Sequence, residues 1–308
     1  MAGMRPAARH ALDATAGGWV RHSVGDAAAA RSGRPSGRSW AGLTLDRPRI
    51  MGVVNVTPDS FSDAGRYFDA GAAIVAGLAM AEAGADIVDV GGESTRPGSL
   101  PTEPDAEYRR VIPVVRALST AGVRVSIDTR NATTMRAALD AGAAIVNDVS
   151  ALTHDAHSAG VVAAAGCPIV LMHMRGTPET MNAQAVYADI ALEVRDELAA
   201  HIAAAEAAGV APEAIAIDPG IGFAKRAPDS IELLRRLREL SVLNRPMVVG
   251  ASRKSFLGRI AGQPEPYHRL AASLAAGLFA LGQGAHVLRV HDVAETVRAL
   301  RVWQALTG

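Results

Sequence analysis

From residue 50 onward, short apolar runs rich in β-branched side chains alternate with longer stretches of helical period. Runs of this kind are the mark of strands buried on both faces. They fall at 50–54, 86–90, 123–127, 144–149, 169–172, 214–217, 247–249 and 286–290. The intervening pattern predicts helices over 70–83, 103–121, 132–141, 157–165, 187–208, 230–240, 253–260 with 268–281, and 294–305. Most of these end at a glycine: Gly84, Gly122, Gly142, Gly166, Gly209, and Gly282 or Gly284. Glycine closes helices because it takes the left-handed conformation at no steric cost. Strictly alternating strand and helix predicts a parallel sheet. Eight units over about 260 residues fit an α/β protein built as one (β/α)8 TIM barrel better than an open sheet. A doubly wound sheet is the alternative, but it would carry a Gly-x-Gly-x-x-Gly turn after its first strand, and none stands there.

Residues 1–46 lack this pattern. They are rich in Ala, Gly, Ser and Arg, with no apolar core of a secretory signal. The expectation is a low-complexity, disordered extension on a single domain spanning 47–308. An Arg-rich transit peptide, or a start at Met4 or later, is the alternative. Composition narrows the setting. The 308 residues carry 31 basic and 31 acidic side chains, so no overall field draws the chain to nucleic acid or to an anionic membrane. No apolar run approaches the ~20 residues needed to cross a bilayer. The single cysteine, Cys167, makes no internal disulfide and reads as a buried structural thiol, which points to a reducing, cytoplasmic setting.

In a barrel of this kind the active site lies at the C-terminal ends of the strands. Those ends carry Asn55, then Glu93 to Arg96, Asp128, Asn147 with Asp148, His173, Asp218, Ser252 to Lys254, and Arg289 with His291 and Asp292. So many polar groups at one rim are costly as core and natural as a site. Asp128, Asn147 and Asp218 together suit a flat heterocycle with an amino-imino edge, such as guanine or a pterin. The loops after the seventh and eighth strands suit an anion, because phosphate sites in this fold often use them and helix N-termini favour negative charge. Two loops rich in Gly, Pro and Ser, at 55–68 and 91–99, can close over a substrate. His173 reads as packing or as a partner for a neighbouring loop. Lys225, Arg226, Arg235 and Arg236 read as a solvated basic face.

The segments NVTPDSFSD (55–63), VDVGGESTRPG (88–98), SIDT (126–129), IVND (145–148), LMHM (171–174), DPGIGF (218–223), GASRKSFLG (250–258) and RVHD (289–292) stand in order along the chain. Together they resemble the dihydropteroate synthase family of pterin-binding TIM barrels. The resemblance implies condensation of 7,8-dihydropterin-6-ylmethyl diphosphate with 4-aminobenzoate, giving 7,8-dihydropteroate and diphosphate, in folate biosynthesis. It implies pterin binding by Asp128, Asn147, Asp218 and Lys254, and diphosphate and Mg2+ at Asn55, with Arg289 and His291 on the diphosphate. It places aminobenzoate, and the sulfonamides that bind in the same pocket in the family, near Phe61, Thr95, Arg96, Pro97, Phe223 and Ser255. Asp128, Lys254, Arg289 and His291 are the catalytic set it implies, and the family is usually a homodimer. Ala224 stands where many members have Gly. A methyltetrahydrofolate-binding methyltransferase on the same barrel, and a catalytically silent pterin-binding paralogue, are the rivals.

Overall fold

The structure, a computed structural model, describes residues 38–57, 70–95 and 98–307. Phe61, Arg96, Pro97 and residues 1–37 lie outside the described residues. A two-stranded hairpin, β1 (Ser39–Trp40) and β2 (Leu43–Thr44), comes first. Eight barrel strands follow: β3 (Arg49–Asn55), β4 (Ile87–Gly91), β5 (Val125–Asp128), β6 (Ile145–Asp148), β7 (Ile169–Met172), β8 (Ile215–Asp218), β9 (Val248–Val249) and β10 (Val287–Val290). They pair in parallel from β3 to β8, and β10 joins β3 to β9. A parallel bridge between Ile217 and Met247, with Ile217 N–H donating to Pro246 O at 2.9 Å, closes the ring between β8 and β9. This is the (β/α)8 barrel that the alternation predicts.

The helices lie where the period sets them: α1 (Ala70–Glu82), α2 (Pro104–Thr120), α3 (Ala132–Asp140), α4 (Ser158–Ala165), α5 (Ile190–Ala207), α6 (Ala227–Arg235), α7 (Ser255–Ala261), α8 (Leu270–Gly282) and α9 (Val293–Thr307). Several boundaries shift by two or three residues, and two of the differences have a visible cause. The stretch expected as one helix over 230–240 is α6 followed by a 3-10 turn, Leu237–Leu243, because Arg236 leaves helical geometry while its guanidinium pairs with Glu239 and Asp189. The helix expected from 253 begins at Ser255, because Arg253 is left-handed, with φ +59°.

Part of the stretch expected as an extension belongs to the barrel. Residues 38–46 are not a disordered lead but the floor of the barrel. Trp40 is 2% exposed, and its Nε1–H donates to Ala214 O at 2.8 Å. Trp40 and Leu45 pack on Met51, Ile87, Ile145, Val170, Ala216, Val248 and Val287, each from a different barrel strand. Arg49 ties the hairpin down, its Nε–H donating to Thr44 O at 2.6 Å and its Nη1–H to Asp86 at 3.1 Å. With its lower end plugged, the barrel has one rim left for chemistry. Trp40→Ala is expected to cost about 3–5 kcal/mol, the usual loss for emptying a buried aromatic position. A chain starting at residue 47 should lose at least as much. Equilibrium denaturation in urea checks both, and a midpoint unchanged in either would contradict the floor assignment.

Candidate active site at the C-terminal rim

The strand register sets the site. Asn55 on β3 lies level with Gly91 on β4, Gly91 with Asp128 on β5, and Asp128 with Asn147 on β6. Gly91 leaves room for its neighbour: a Cβ there would sit 3.3 Å from the Asp128 Cβ. The strands thus deliver an amide, a carboxylate and a second amide in one row.

One pocket opens over the barrel core. Thr95, Asp128, Asn147, Asp218, Phe223, Lys254 and Arg289 line it, with Met172, Gly220, Ile221 and Gly250 among its further walls. Seven of the side chains expected from sequence therefore converge on a single pocket. Asn55 stands at the end of β3 in the row just described. His291 stands just past β10, with its Nδ1 3.1 Å from Ser252 Oγ. Ser255 is the first residue of α7 and is exposed. These three are not among the residues that line the pocket.

Arg289 is the hub. Its Nη2–H donates to Asp128 Oδ2 at 2.6 Å and its Nε–H to Asp89 Oδ2 at 2.7 Å. The same Asp89 oxygen accepts from Asn147 Nδ2 at 3.0 Å. Asp89 is fully buried and was not singled out from the sequence. A carboxylate in the middle of an otherwise apolar strand, Ile87-Val88-Asp89-Val90, was the signal that could have found it. Asp148, beside Asn147, takes no part in this set. It accepts from Ser150 N–H at 2.7 Å and from Leu152 N–H at 2.9 Å, holding Ala151 and Leu152 in left-handed geometry (φ +52° and +66°).

The other half of the pocket is built by the loop after β8. Asp218 Oδ1 accepts from Gly220 N–H at 2.7 Å. Gly220 has φ +66°, and a Cβ there would fall 2.0 Å from His173 O, so only glycine fits. The loop carries Phe223, whose ring centroid lies 3.9 Å from Lys254 Nζ, within cation–π range. Lys225 contradicts the solvated-face reading: it is buried, with Nζ 2.8 Å from His173 Nδ1, while Arg226 and Arg235 are exposed.

Burial governs the protonation of the site. It pushes the Asp128 carboxyl up to about 7, with Arg289 opposing and Asp89 adding to the rise. It raises Asp218 too, against the Gly220 hydrogen bond and Lys254. Burial, then Arg289, bring Lys254 down to about 8. His291 is brought to about 3 by burial and by the neighbouring Arg289 and Arg253, so at neutral pH it offers an N–H, not a charge. Arg289 stays charged, since Asp89 and Asp128 outweigh its burial. The arrangement provides two deep acids and an amide for the N–H edge of a ring, an aromatic face beside it, and two cations, Lys254 and Arg289, in the same pocket. Among the described residues no group of three acidic, histidine or cysteine side chains is placed to hold a metal ion.

Comparison with known proteins decides the family. A profile described as pterin binding enzyme matches residues 51–291. The chain belongs to the pterin-binding enzyme family. It is 44% identical to the dihydropteroate synthase of Escherichia coli K12 over 264 residues, 85% of this chain and 93% of that protein. It is 47% identical to the dihydropteroate synthase of Mycobacterium leprae over 267 residues, 84% of this chain and 94% of that protein. The solved Xanthomonas albilineans dihydropteroate synthase with 4-aminobenzoic acid superposes with a TM-score of 0.82 at 47% identity, covering 87% of this chain and 97% of that one.

A pterin-binding enzyme with this pocket should show a defined acid limb. If the ring donates N–H to ionised Asp128, its affinity should fall about tenfold per pH unit as the carboxyl protonates below 7. Calorimetry of a pterin between pH 5 and 8 checks this. Asp128→Asn should flatten the limb as well as weaken binding.

Proposed function

We propose that this chain joins 7,8-dihydropterin-6-ylmethyl diphosphate to 4-aminobenzoate, forming 7,8-dihydropteroate and releasing diphosphate. The observation that carries this is the pocket itself: Asp128, Asn147 and Asp218 face one cavity with Lys254, Phe223 and Arg289, in a chain 44–47% identical to dihydropteroate synthases. A second Xanthomonas albilineans structure contains 7,8-dihydropteroate, and a Yersinia pestis relative contains a sulfonamide drug. We assign the pterin edge to Asp128, Asn147, Asp218 and Lys254, and the aminobenzoate to Thr95, Phe223 and Ser255, with Phe61, Arg96 and Pro97 from the two loops.

Diphosphate leaves poorly until its charge is offset. Arg289 and the N–H of His291 supply that at the rim, and Asn55 adds a polar group beside them. Ser252 Oγ lies 3.2 Å from the His291 backbone N and 3.1 Å from its Nδ1, so the hydroxyl accepts from the first and donates to the second. That leaves Nε2–H as the imidazole donor. The residues fit Mg2+ carried on the diphosphate, with an oxygen from Asn55, and do not fit a resident ion, which would need a fuller set of protein ligands. When bound, it would lower the charge on the leaving oxygens. The C–O bond breaks with its electron pair going to diphosphate, and the methylene cation is stabilised by the electron-rich dihydropterin beside Asp128. The arylamine nitrogen then forms the C–N bond and loses one proton. A homodimer and a cytoplasmic location complete the reading; among the described residues no helix is long and apolar enough to cross a membrane.

A coupled diphosphate-release assay with both substrates, with and without Mg2+, tests the reading. Release dependent on 4-aminobenzoate supports it, and methyl transfer from methyltetrahydrofolate without diphosphate release would contradict it. Positional exchange of 18O in the pterin diphosphate without aminobenzoate should occur if C–O cleavage comes first. Asp218→Asn should weaken binding of the pterin substrate by about 1–3 kcal/mol, the value of a hydrogen bond to a charged group. Calorimetry gives the figure, and an unchanged affinity would remove Asp218 from the ring site.

A further inference from the structure

The chain uses arginine almost wherever it uses a cation. It contains two lysines, Lys225 and Lys254, among 31 basic residues. Neither sits on the solvated surface: Lys254 lines the pocket and Lys225 is buried directly behind it. Lysine differs from arginine in presenting a compact ammonium whose three donors can converge on acceptors that a planar guanidinium cannot reach together.

Lys225 uses its ammonium in that way. Nζ lies 2.8 Å from His173 Nδ1, 2.9 Å from Phe223 O and 3.4 Å from His173 O. His173 is fully buried, and its Nε2 is 2.9 Å from Glu197 Oε2. A charged ammonium on Nδ1 and a carboxylate on Nε2 require the neutral ring with its proton on Nε2. The residue between Phe223 and Lys225 is held as firmly. Ala224 is left-handed (φ +47°), its N–H donating to Met181 Sδ at 3.3 Å and its carbonyl accepting from Tyr187 Oη at 2.9 Å. A non-glycine residue stays at positive φ only where its surroundings fix it.

We infer that Lys225 is a positioning residue: by seating its ammonium on His173 and on the Phe223 carbonyl, it sets the Phe223 ring against Lys254 and so shapes the aminobenzoate end of the pocket. This rests on the function proposed above. Burial brings Lys225 down to about 7, with Asp218 and Glu197 opposing and Lys254 and Arg175 adding to the fall, so the staple is tightest when the amine is protonated.

Lysine labelled with 13C and 15N gives two sets of side-chain signals from this protein. Those of the Lys254 ε-methylene should be displaced upfield by the Phe223 ring. In Lys225→Met, which keeps an unbranched side chain one atom shorter and removes its donors, that displacement should be lost. KM for 4-aminobenzoate should rise about tenfold, as expected for a lost hydrogen bond from a charged group, with a smaller change in kcat and in affinity for the pterin substrate. Lys225→Arg should not restore either property. A folded Lys225→Met protein with its Lys254 signals in place and KM unchanged would overturn the inference, as would full rescue by arginine. If Lys225→Met does not fold, the wild-type protein still decides. Its His173 ring, read by 15N shifts, should be neutral with the proton on Nε2, and a proton on Nδ1 would overturn the staple. The lysine and histidine signals need no turnover, so they judge Lys225 even if the wild-type chain makes no dihydropteroate.

Discussion

Two carboxylates share one guanidinium at the centre of this barrel, and the pocket depends on that sharing. Asp89 is fully buried and Asp128 nearly so, and Arg289 bonds to both. Burying two acids side by side without a cation would cost several kcal/mol and would drive at least one to protonate. With Arg289 between them, the acids hold a geometry that neither would keep alone. Asn147 is drawn into the same set through Asp89. Arg289 thus holds Asp89, Asp128 and, through Asp89, Asn147 in one hydrogen-bonded set at the pocket.

The fold makes this arrangement cheap. Asp89, Asp128, Asn147 and Arg289 come from four strands, β4, β5, β6 and β10, which the closed ring fixes to within a hydrogen-bond ladder of one another. Closure fixes the strands, and the Trp40 floor fills the end of the barrel away from the chemistry. The loop after β8 is less regular, and there side chains take over the work of the ladder. Tyr187, Met181 and Lys225 hold its backbone in a conformation that its sequence alone would not choose.

Much of this was legible before any coordinates. The strand and helix periods placed all eight barrel units, because parallel strands buried on both faces leave a strong apolar signal. Asp128, Asn147 and Asp218 were legible as polar groups at the ends of apolar strands, and Lys254 and Arg289 as cations in the last two strand-and-loop segments. What escaped shares a different character. Trp40 was hidden because a two-residue strand has no period to read, and its neighbours are Ser39, Ala41 and Gly42. Asp89 was hidden because it lies inside a strand and not at its end. Lys225 was misjudged because adjacent arginines suggest a solvated run, whereas the left-handed Ala224 before it turns the side chain inward. Phe61, Arg96 and Pro97 were expected at the aminobenzoate and fall outside the described residues.

The dependence of the pocket on the Arg289 pair is tested most directly by a double-mutant cycle on folding stability, with Arg289→Met, Asp89→Asn and the two combined. A shared guanidinium predicts that the single losses are not additive, with a coupling of about 2–3 kcal/mol between the two positions. Losses that add to within about 0.5 kcal/mol would mean that Asp89 and Arg289 act independently, and the pocket would need another organising contact.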